Sequence, residues 1–588
     1  MKKTTITRRT VFTMLAVMVF IVLFAVKLVD IQVVRAAAYN EEALGKRSIP
    51  ATVYSSRGEI VDTNGVVLAD SVMRYNVTVS PKNAKDFLRE KGNDDVTVTP
   101  QQAATEIATI TGQKPEEILK VIGDALAVDP KSDFAYIAKG VEVDTFKKLN
   151  ELEIPWLFFE QAPGRSYPNG GVAGNLIGYV GQDGEPQAGL EYSSNECLAG
   201  VNGEEVYQRG ADGVRIPGST VTSKVAENGG ELKLTIDSDL QWYVQQVLAK
   251  QVDAVSGTWG IAIVQEVKTG KLLAVADYPS LDPNNVDGSS ESARGSRAFM
   301  APFEPGSTIK SLTAASLLDA GLADPTTQVV APNYIEYPNG ARVNDAGKHG
   351  VYHLTLTGVL EKSSNVGITQ LGEALSAEQR YDYYKKFGFG EVTAVDFTAE
   401  SEGILHPAEE WDNQTYYNVM FGQGMATTAI QVASAYQALG NKGVRLPVQL
   451  VESCTTADGE VITPEEPKGV RVVSEAAATT TVNMLENFVT QGWITKHVSI
   501  PGYRVAMKTG TAEQADGQGG LKSSWVLSTV GLVPADDPQY VVSVVISEPG
   551  GNPNYACPPV FRNIMGQVIK RYRVEPSPDG SPVLPIAF

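Results

Sequence analysis

Residues Glu304-Pro305-Gly306-Ser307-Thr308-Ile309-Lys310-Ser311-Leu312 decide how this chain is read. A Pro-Gly turn runs directly into a helical stretch with apolar residues at Ile309, Leu312 and Ala315, so Ser307 opens a helix. Its hydroxyl then lies beside unpaired backbone N–H groups at the positive end of the helix dipole. Lys310, three residues on, projects from the same face. A serine is a poor nucleophile until a base takes its proton, and a lysine can serve if burial or a neighbouring cation holds it partly neutral. Alone the spacing is weak, because serine is a favoured helix cap and lysine a routine surface residue. Lys310 is nevertheless the only lysine in the chain with serine three positions earlier.

Two partner motifs follow it. Ser363-Ser364-Asn365 stands between helix-like runs at 354–362 and 366–375, offering a hydroxyl for proton relay and an amide to hold a substrate carbonyl. Lys508-Thr509-Gly510-Thr511 ends a strand that starts at Tyr503. It offers a cation and a hydroxyl for a substrate carboxylate, a bare Gly510 that lets substrate approach, and an N–H on Thr511 for an oxyanion hole. Ser193-Ser194-Asn195 and Lys268-Thr269-Gly270 match the same short patterns, so neither pattern is specific by itself. Both precede Ser307, and Lys268-Thr269-Gly270 reads better as a hairpin turn. The weight lies in the order S-x-x-K, S-x-N, K-T-G.

Outward from these motifs the pattern is one of long, well-punctuated elements. A strand at 232–236 ends at Asp237, a good N-cap for a helix over 238–252. Strands at 259–267 and 271–276 form a hairpin through Lys268-Thr269-Gly270, and strands at 505–507, 525–532 and 540–546 precede a closing helix at 560–571. Strands at both ends with helices between imply one sheet built from both termini of an α+β domain. Before it, residues 53–69 read as a hairpin turning at Asn64-Gly65. Helices follow at 100–111, with Thr99 as cap, and at 115–122. Dense Gly and Pro from 163 to 218 suggest an extended, turn-laden segment rather than a packed core unit.

The far N-terminus carries the strongest compositional signal. Residues 11–26 hold no charge, and 10–29 would make about 30 Å of helix at ~1.5 Å per residue, enough to cross a bilayer. Lys27 can snorkel at its outer end. Lys2, Lys3, Arg8 and Arg9 precede the run without an acid, which keeps the N-terminus cytoplasmic and exports the rest. Ala36-Ala37-Ala38 resembles a signal-peptide cleavage site but lies well beyond the apolar run, which favours an uncleaved anchor. The 588 residues, 43% hydrophobic, can bury a large core, and the net charge of -19 argues against nucleic-acid binding. Cys197, Cys454 and Cys557 are too few and scattered for a disulfide scaffold. Of four histidines, His349 and His353 are four apart but lack the H-E-x-x-H pattern, and read as ordinary loop or surface residues.

Taken together, the chain resembles a class B penicillin-binding protein over nearly its whole length. In the C-terminal part the likeness rests on Leu234-Thr235-Ile236-Asp237, Ser296-Arg297-Ala298, the Glu304 to Lys310 stretch, Ser363-Ser364-Asn365-Val366-Gly367, Phe421-Gly422-Gln423-Gly424 and Lys508-Thr509-Gly510-Thr511-Ala512. In the N-terminal part it rests on Arg57-Gly58-Glu59-Ile60-Val61-Asp62, Arg165-Ser166-Tyr167-Pro168 and Gly189-Leu190-Glu191. The lead-in to Ser307 is more similar to the division or sporulation branch than to the elongation branch.

The resemblance implies an architecture: a cytoplasmic tail (1–10), a transmembrane anchor (11–29), an elongated β-rich pedestal of dimerisation type (40–225), a transpeptidase domain (226–575) and a C-terminal tail (576–588). That domain would hold a central antiparallel sheet with helices on both faces, as in serine β-lactamases. It also implies a two-step acyl transfer. Ser307, activated by Lys310, would attack the penultimate D-Ala carbonyl of a peptidoglycan stem peptide. The N–H groups of Ser307 and Thr511 would bind the oxyanion, beside Gly510. Ser363 would relay a proton, Asn365 would orient the donor, and Lys508 and Thr509 would bind its carboxylate. Lys508 and burial would together keep Lys310 partly neutral. β-Lactams would acylate Ser307; no metal or organic cofactor is implied. A membrane glycosyltransferase and division-complex proteins are the implied partners. The competing readings are a D,D-carboxypeptidase or β-lactamase-like hydrolase and a catalytically vestigial scaffold of the division complex.

Overall fold

The computed structural model describes residues 3–39, 48–91, 94–181, 183–208, 216–465, 468–515, 521–550, 555–578 and 580–588. Lys2, one of the basic flank residues, lies outside them. Helix α1 (Lys3–Val29) carries no charge between Arg9 and Lys27. With the turn that continues it, residues 8–34 form the one span among the described residues that is long and apolar enough to cross a membrane, its most apolar 18 residues having a mean hydropathy of 2.7.

Residues 1–56 and 200–228 form one compact unit. Its sheet has three antiparallel strands, in the order Ser48–Val53, Gly203–Gln208, Val221–Lys224. Val53 pairs with Gly203 here. It is therefore not part of the hairpin expected over 53–69, whose first strand is only Ile60–Val61. The intervening chain makes no ladder, and alternating sequence alone does not reveal where a strand changes partner.

Residues 57–199 and 229–588 form the second unit. A sheet crosses it in the order Val461–Ile462, Val451–Thr455, Glu231–Leu234, Ile60–Val61, Val67–Val79, Ala135–Val141, with Leu157–Ser166 also paired to Val67–Val79. The Asn64-Gly65 turn forms as expected, and one side chain organises it. Asp62 Oδ1 accepts from the N–H groups of Asn64 and Val66, each at 2.8 Å, while Oδ2 accepts from Ser238 N at 3.0 Å and Ser238 Oγ at 2.7 Å. The helix Pro100–Thr111 starts where expected, with Thr99 and Gln102 in a capping box, and the next runs on to Val128.

The first part of the Gly- and Pro-rich stretch, up to Leu198, behaves differently from expectation. Tyr167, Leu176, Ile177, Leu190 and Leu198 are buried in the main hydrophobic core. Between them the carboxylate of Glu191, fully buried, meets Arg57 Nε at 2.6 Å and Arg165 Nε at 2.7 Å. Two guanidiniums neutralise the buried charge. Short helices without long apolar runs can then pack inward, which periodicity cannot show. A disulfide joins Cys197 to Cys454, 257 positions apart, and leaves Cys557 free and buried. One such cross-link is not a scaffold, but it fastens the early segment to the strand Val451–Thr455.

The sheet behind the candidate site is five-stranded and wholly antiparallel. Helix α2 (Ser238–Ala254), capped by Asp237 as expected, precedes β1 (Trp259–Glu266) and β2 (Leu272–Tyr278). Helices α3 (Ile309–Asp319), α4 (Leu356–Lys362), α5 (Asn365–Gly372) and α6 (Glu475–Gln491) lead to β3 (Ala506–Ala515), β4 (Leu521–Val533) and β5 (Tyr540–Ser547), and α7 (Pro558–Arg571) follows. The strand order is β2-β1-β5-β4-β3, so strands from both ends of the domain share one sheet. Alternation along β1 makes two layers. Ile261 and Ile263 join the core that holds Ile309 and Leu312 of α3, while Ala262 and Val264 join Leu240 and Val244 of α2 and Phe561 of α7. Lys508 to Thr511 lies in the middle of β3, not at a strand end, because pairing with β4 continues to Ala515.

Candidate active site

The turn bearing Ser307 is built by close backbone contact. Gly306 has φ +59°, and a Cβ there would lie 2.6 Å from Thr511 O, so only glycine lets this turn sit on β3. Gly306 N donates to Gly422 O at 2.9 Å, and Glu304 Oε1 accepts from Gly424 N at 2.9 Å. These bonds give the Phe421-Gly422-Gln423-Gly424 stretch a physical role as the outer wall of the turn. Residues 306–308 form a single 3₁₀ turn that passes into α3. Tyr436 OH donates to Thr308 O at 2.9 Å and lies 2.9 Å from Ser311 Oγ, holding the first helical turn from behind.

Four expected side chains meet in a continuous run. Lys310 Nζ lies 2.9 Å from Ser307 Oγ and 3.2 Å from Ser363 Oγ, and it also donates to the Ser363 carbonyl. Lys508 Nζ lies 2.9 Å from the same Ser363 Oγ, donates to Thr509 O at 3.0 Å, and sits 4.8 Å from the centre of the Phe488 ring. Both lysines are completely buried, whereas Ser307 and Ser363 are half-buried. Burial pushes Lys310 down to about 7, opposed by the Asp345 carboxylate. Burial also holds Lys508 well below the usual lysine range, and the Lys310 charge adds to that. The repulsion between the two cations therefore falls on Lys508, and the group acting on Lys310 besides burial is an acid that raises it.

Ser363 ends α4 in the left-handed region, φ +52°, a conformation that a non-glycine residue keeps only when its surroundings hold it. Ser364 caps α5, accepting from Gly367 N at 2.9 Å and donating to Asp345 Oδ2 at 2.7 Å. Asn365 Nδ2 donates to Asn344 O at 2.8 Å, which sets its side-chain orientation. On β3, Thr509 is half-buried and Thr511 exposed. Gly510 is different from expectation. A Cβ there would meet Ser528 Oγ at 2.2 Å and Pro305 O at 2.7 Å, so its missing side chain makes room for the neighbouring strand and the serine turn.

Asp345 and His349 escaped the sequence reading. His349 is no ordinary surface residue, since its side chain is 9% exposed and its Nε2 lies 2.9 Å from Asp345 Oδ2. The contact joins residues 345 and 349 across an irregular loop, and no periodic pattern marks it. The duplicate motifs at 193–195 and 268–270 have structural roles: Asn195 Oδ1 accepts from Arg57 Nη1 at 2.6 Å, and Gly270 turns the β1–β2 hairpin.

A serine and lysine in contact at a helix start, closed by a further serine and lysine, define an active-serine acyltransferase fold. Residues 260–566 match the penicillin-binding protein transpeptidase domain, and residues 52–234 match the penicillin-binding protein dimerisation domain. The chain is 34% identical to penicillin-binding protein PbpB of Mycolicibacterium smegmatis, over 97% of this chain and 91% of that relative. It is 31% identical to the peptidoglycan D,D-transpeptidase FtsI of Escherichia coli, covering 89% and 85%. A peptidoglycan synthetase structure from Bifidobacterium adolescentis superposes with a TM-score of 0.72 at 33% identity, covering 92% of this chain and all of that one. Penicillin-binding protein 3 of Mycobacterium tuberculosis complexed with aztreonam gives 0.69 at 28%, covering 91% and 99%. The chain belongs to the penicillin-binding proteins, as a class B member of the division type.

Proposed function

We propose that this chain is a membrane-anchored peptidoglycan D,D-transpeptidase that cross-links stem peptides through an acyl-enzyme on Ser307 and is inhibited by β-lactams. The observation that carries the reading is the hydrogen-bonded run Ser307–Lys310–Ser363–Lys508. Neutral Lys310 takes the Ser307 proton as Oγ attacks the penultimate D-Ala carbonyl. The backbone N–H groups of Ser307 and Thr511 stabilise the oxyanion. The proton passes through Ser363 to the departing D-Ala amine, and the acyl group stays on Ser307. An amine from a neighbouring stem then attacks the ester, and the same run returns the proton to Ser307. Asn365 orients the donor peptide. Lys508 supplies positive field, and Thr509 a hydroxyl, for the terminal carboxylate. The N-terminal basic flank points to a cytoplasmic N-terminus and an exported catalytic part. A membrane glycosyltransferase and division-complex proteins are the proposed partners.

Incubation of the detergent-solubilised full chain with a fluorescent penicillin, followed by peptide mapping, tests this. Label on Ser307 that disappears in Ser307→Ala is the expected result, and label elsewhere, or none, overturns it. Product analysis with a stem-peptide donor and an amine acceptor separates transfer from hydrolysis, which would return the reading to a carboxypeptidase.

A further inference from the structure

We propose that Asp345 and His349 are positioning residues for acyl transfer, a carboxylate–imidazole pair behind the Ser363–Asn365 turn that shapes the turn and tunes how readily Lys310 gives up its proton. This rests on the transpeptidase reading and adds to it two residues that touch none of the reacting atoms.

The pair is tied into the turn at several points. Asp345 Oδ2 accepts from Ser364 Oγ at 2.7 Å, and Oδ1 accepts from Val366 N at 3.0 Å. Its own N–H donates to Asn333 O at 3.0 Å, and the preceding carbonyl, Asn344 O, holds Asn365. One carboxylate thus fixes the residues on the far side of Ser363, the residue whose hydroxyl stands between the two lysines.

His349 supplies a further partner to that carboxylate. Its Nδ1 lies 2.5 Å from Gly350 O, which can only accept, so Nδ1 carries a hydrogen. Its Nε2 faces Asp345 Oδ2, and the ring is stacked on Tyr352 with centroids 3.8 Å apart. A neutral imidazole with Nδ1–H would point a lone pair at the carboxylate. The contact therefore needs one further proton, on Nε2 or on Asp345, and with it the pair is electrically neutral overall. Without the imidazole, the carboxylate would stand alone behind the turn. The charged groups in play are Asp345 acting on Lys310, Lys310 and Glu361 acting on Lys508, and His349 facing Asp345. Asp345 is the one that opposes burial at Lys310.

The signs follow. Removing the carboxylate makes Lys310 easier to deprotonate, and removing the imidazole makes it harder. The test is the acylation rate of the full chain by a fluorescent penicillin across pH 5–9.5. For Asp345→Asn the midpoint of the rising limb should fall by about half a pH unit or more, and for His349→Gln it should rise by about as much. His349→Arg keeps a cation in place and should hold the midpoint at or below the parent value. Midpoints that do not move, whatever the loss of rate, would reduce both residues to packing and overturn the proposal. Should Asp345→Asn fail to fold, the His349 variants decide alone. Failure of the parent chain to label at Ser307 would instead sink the transpeptidase reading.

Discussion

Gly510 and Pro305 are so close that a Cβ on the glycine would lie 2.7 Å from the proline carbonyl oxygen. That oxygen belongs to the backbone of the turn holding Ser307 and cannot swing aside as a side-chain tip could. Gly510→Ala should therefore displace the turn. A shift of about 1 Å at a reacting group costs on the order of 10²-fold in rate. Second-order acylation of Gly510→Ala should fall by about that factor while thermal melting still reports a folded domain.

Lys310 must be neutral to act as a base, and its descent to about 7 places that transition near neutrality. Acylation should rise with pH through about 7 and then level. Lys310→Arg cannot deprotonate and should lose about 10²–10⁴-fold across the range, as measured by stopped-flow labelling.

The same burial weakens the fold. The unfolded chain holds the Lys310 proton up to the ordinary lysine value of 10.5, the folded chain only to about 7, so stability increases with pH between them. The cost of burial is complete below pH 7. Lys310→Met should raise the melting temperature by about 2 °C at pH 6 while abolishing acylation, and the gain should shrink towards pH 10. Scanning calorimetry at both pH values checks this.

Asp62 serves two elements with one carboxylate. Desolvation opposes its ionisation, but the hydrogen bonds from Ser238, Val66 and Asn64 prevail and hold it below the usual carboxylate range. Its contribution is present above the unfolded carboxylate value, about 3.9, and is lost as pH falls through the lower folded value. Asp62→Ala leaves buried donors without an acceptor and should cost about 2–4 kcal/mol at pH 7 by denaturant unfolding. The difference from the parent should narrow below about pH 4.

The Cys197–Cys454 bond predicts one titratable thiol in denaturant without reductant, from Cys557, and three with it. The double variant Cys197→Ser, Cys454→Ser should melt several degrees lower, since removing a native disulfide costs about 2–5 kcal/mol. Its acylation rate at 25 °C should remain within about twofold of the parent.

Much of the fold was legible because it is written in local chemistry. The span near the N-terminus, the caps at Thr99 and Asp237, the Asn64-Gly65 turn, the β1–β2 hairpin and the strands that close the sheet all depend on neighbours within a few positions. Spacing and order also brought out Ser307, Lys310, Ser363 and Lys508. What periodicity misjudged were places where burial depends on distant charge. Tyr167, Leu176, Ile177, Leu190 and Leu198 pack inward around a Glu191 carboxylate that Arg57 and Arg165 neutralise, and no window of that segment contains Arg57.

The sequence by itself determined which residue types stand ready for acyl transfer and in what order, since a serine and a lysine one helical turn apart are neighbours in any helix. Only the tertiary structure decided how basic the lysine is. That value comes from complete burial against a carboxylate 35 positions along the chain, brought there by a loop that also seats His349. Desolvation and Coulomb forces act through space, and their strength depends on which surfaces the fold closes over the group, so no reading along the chain contains them.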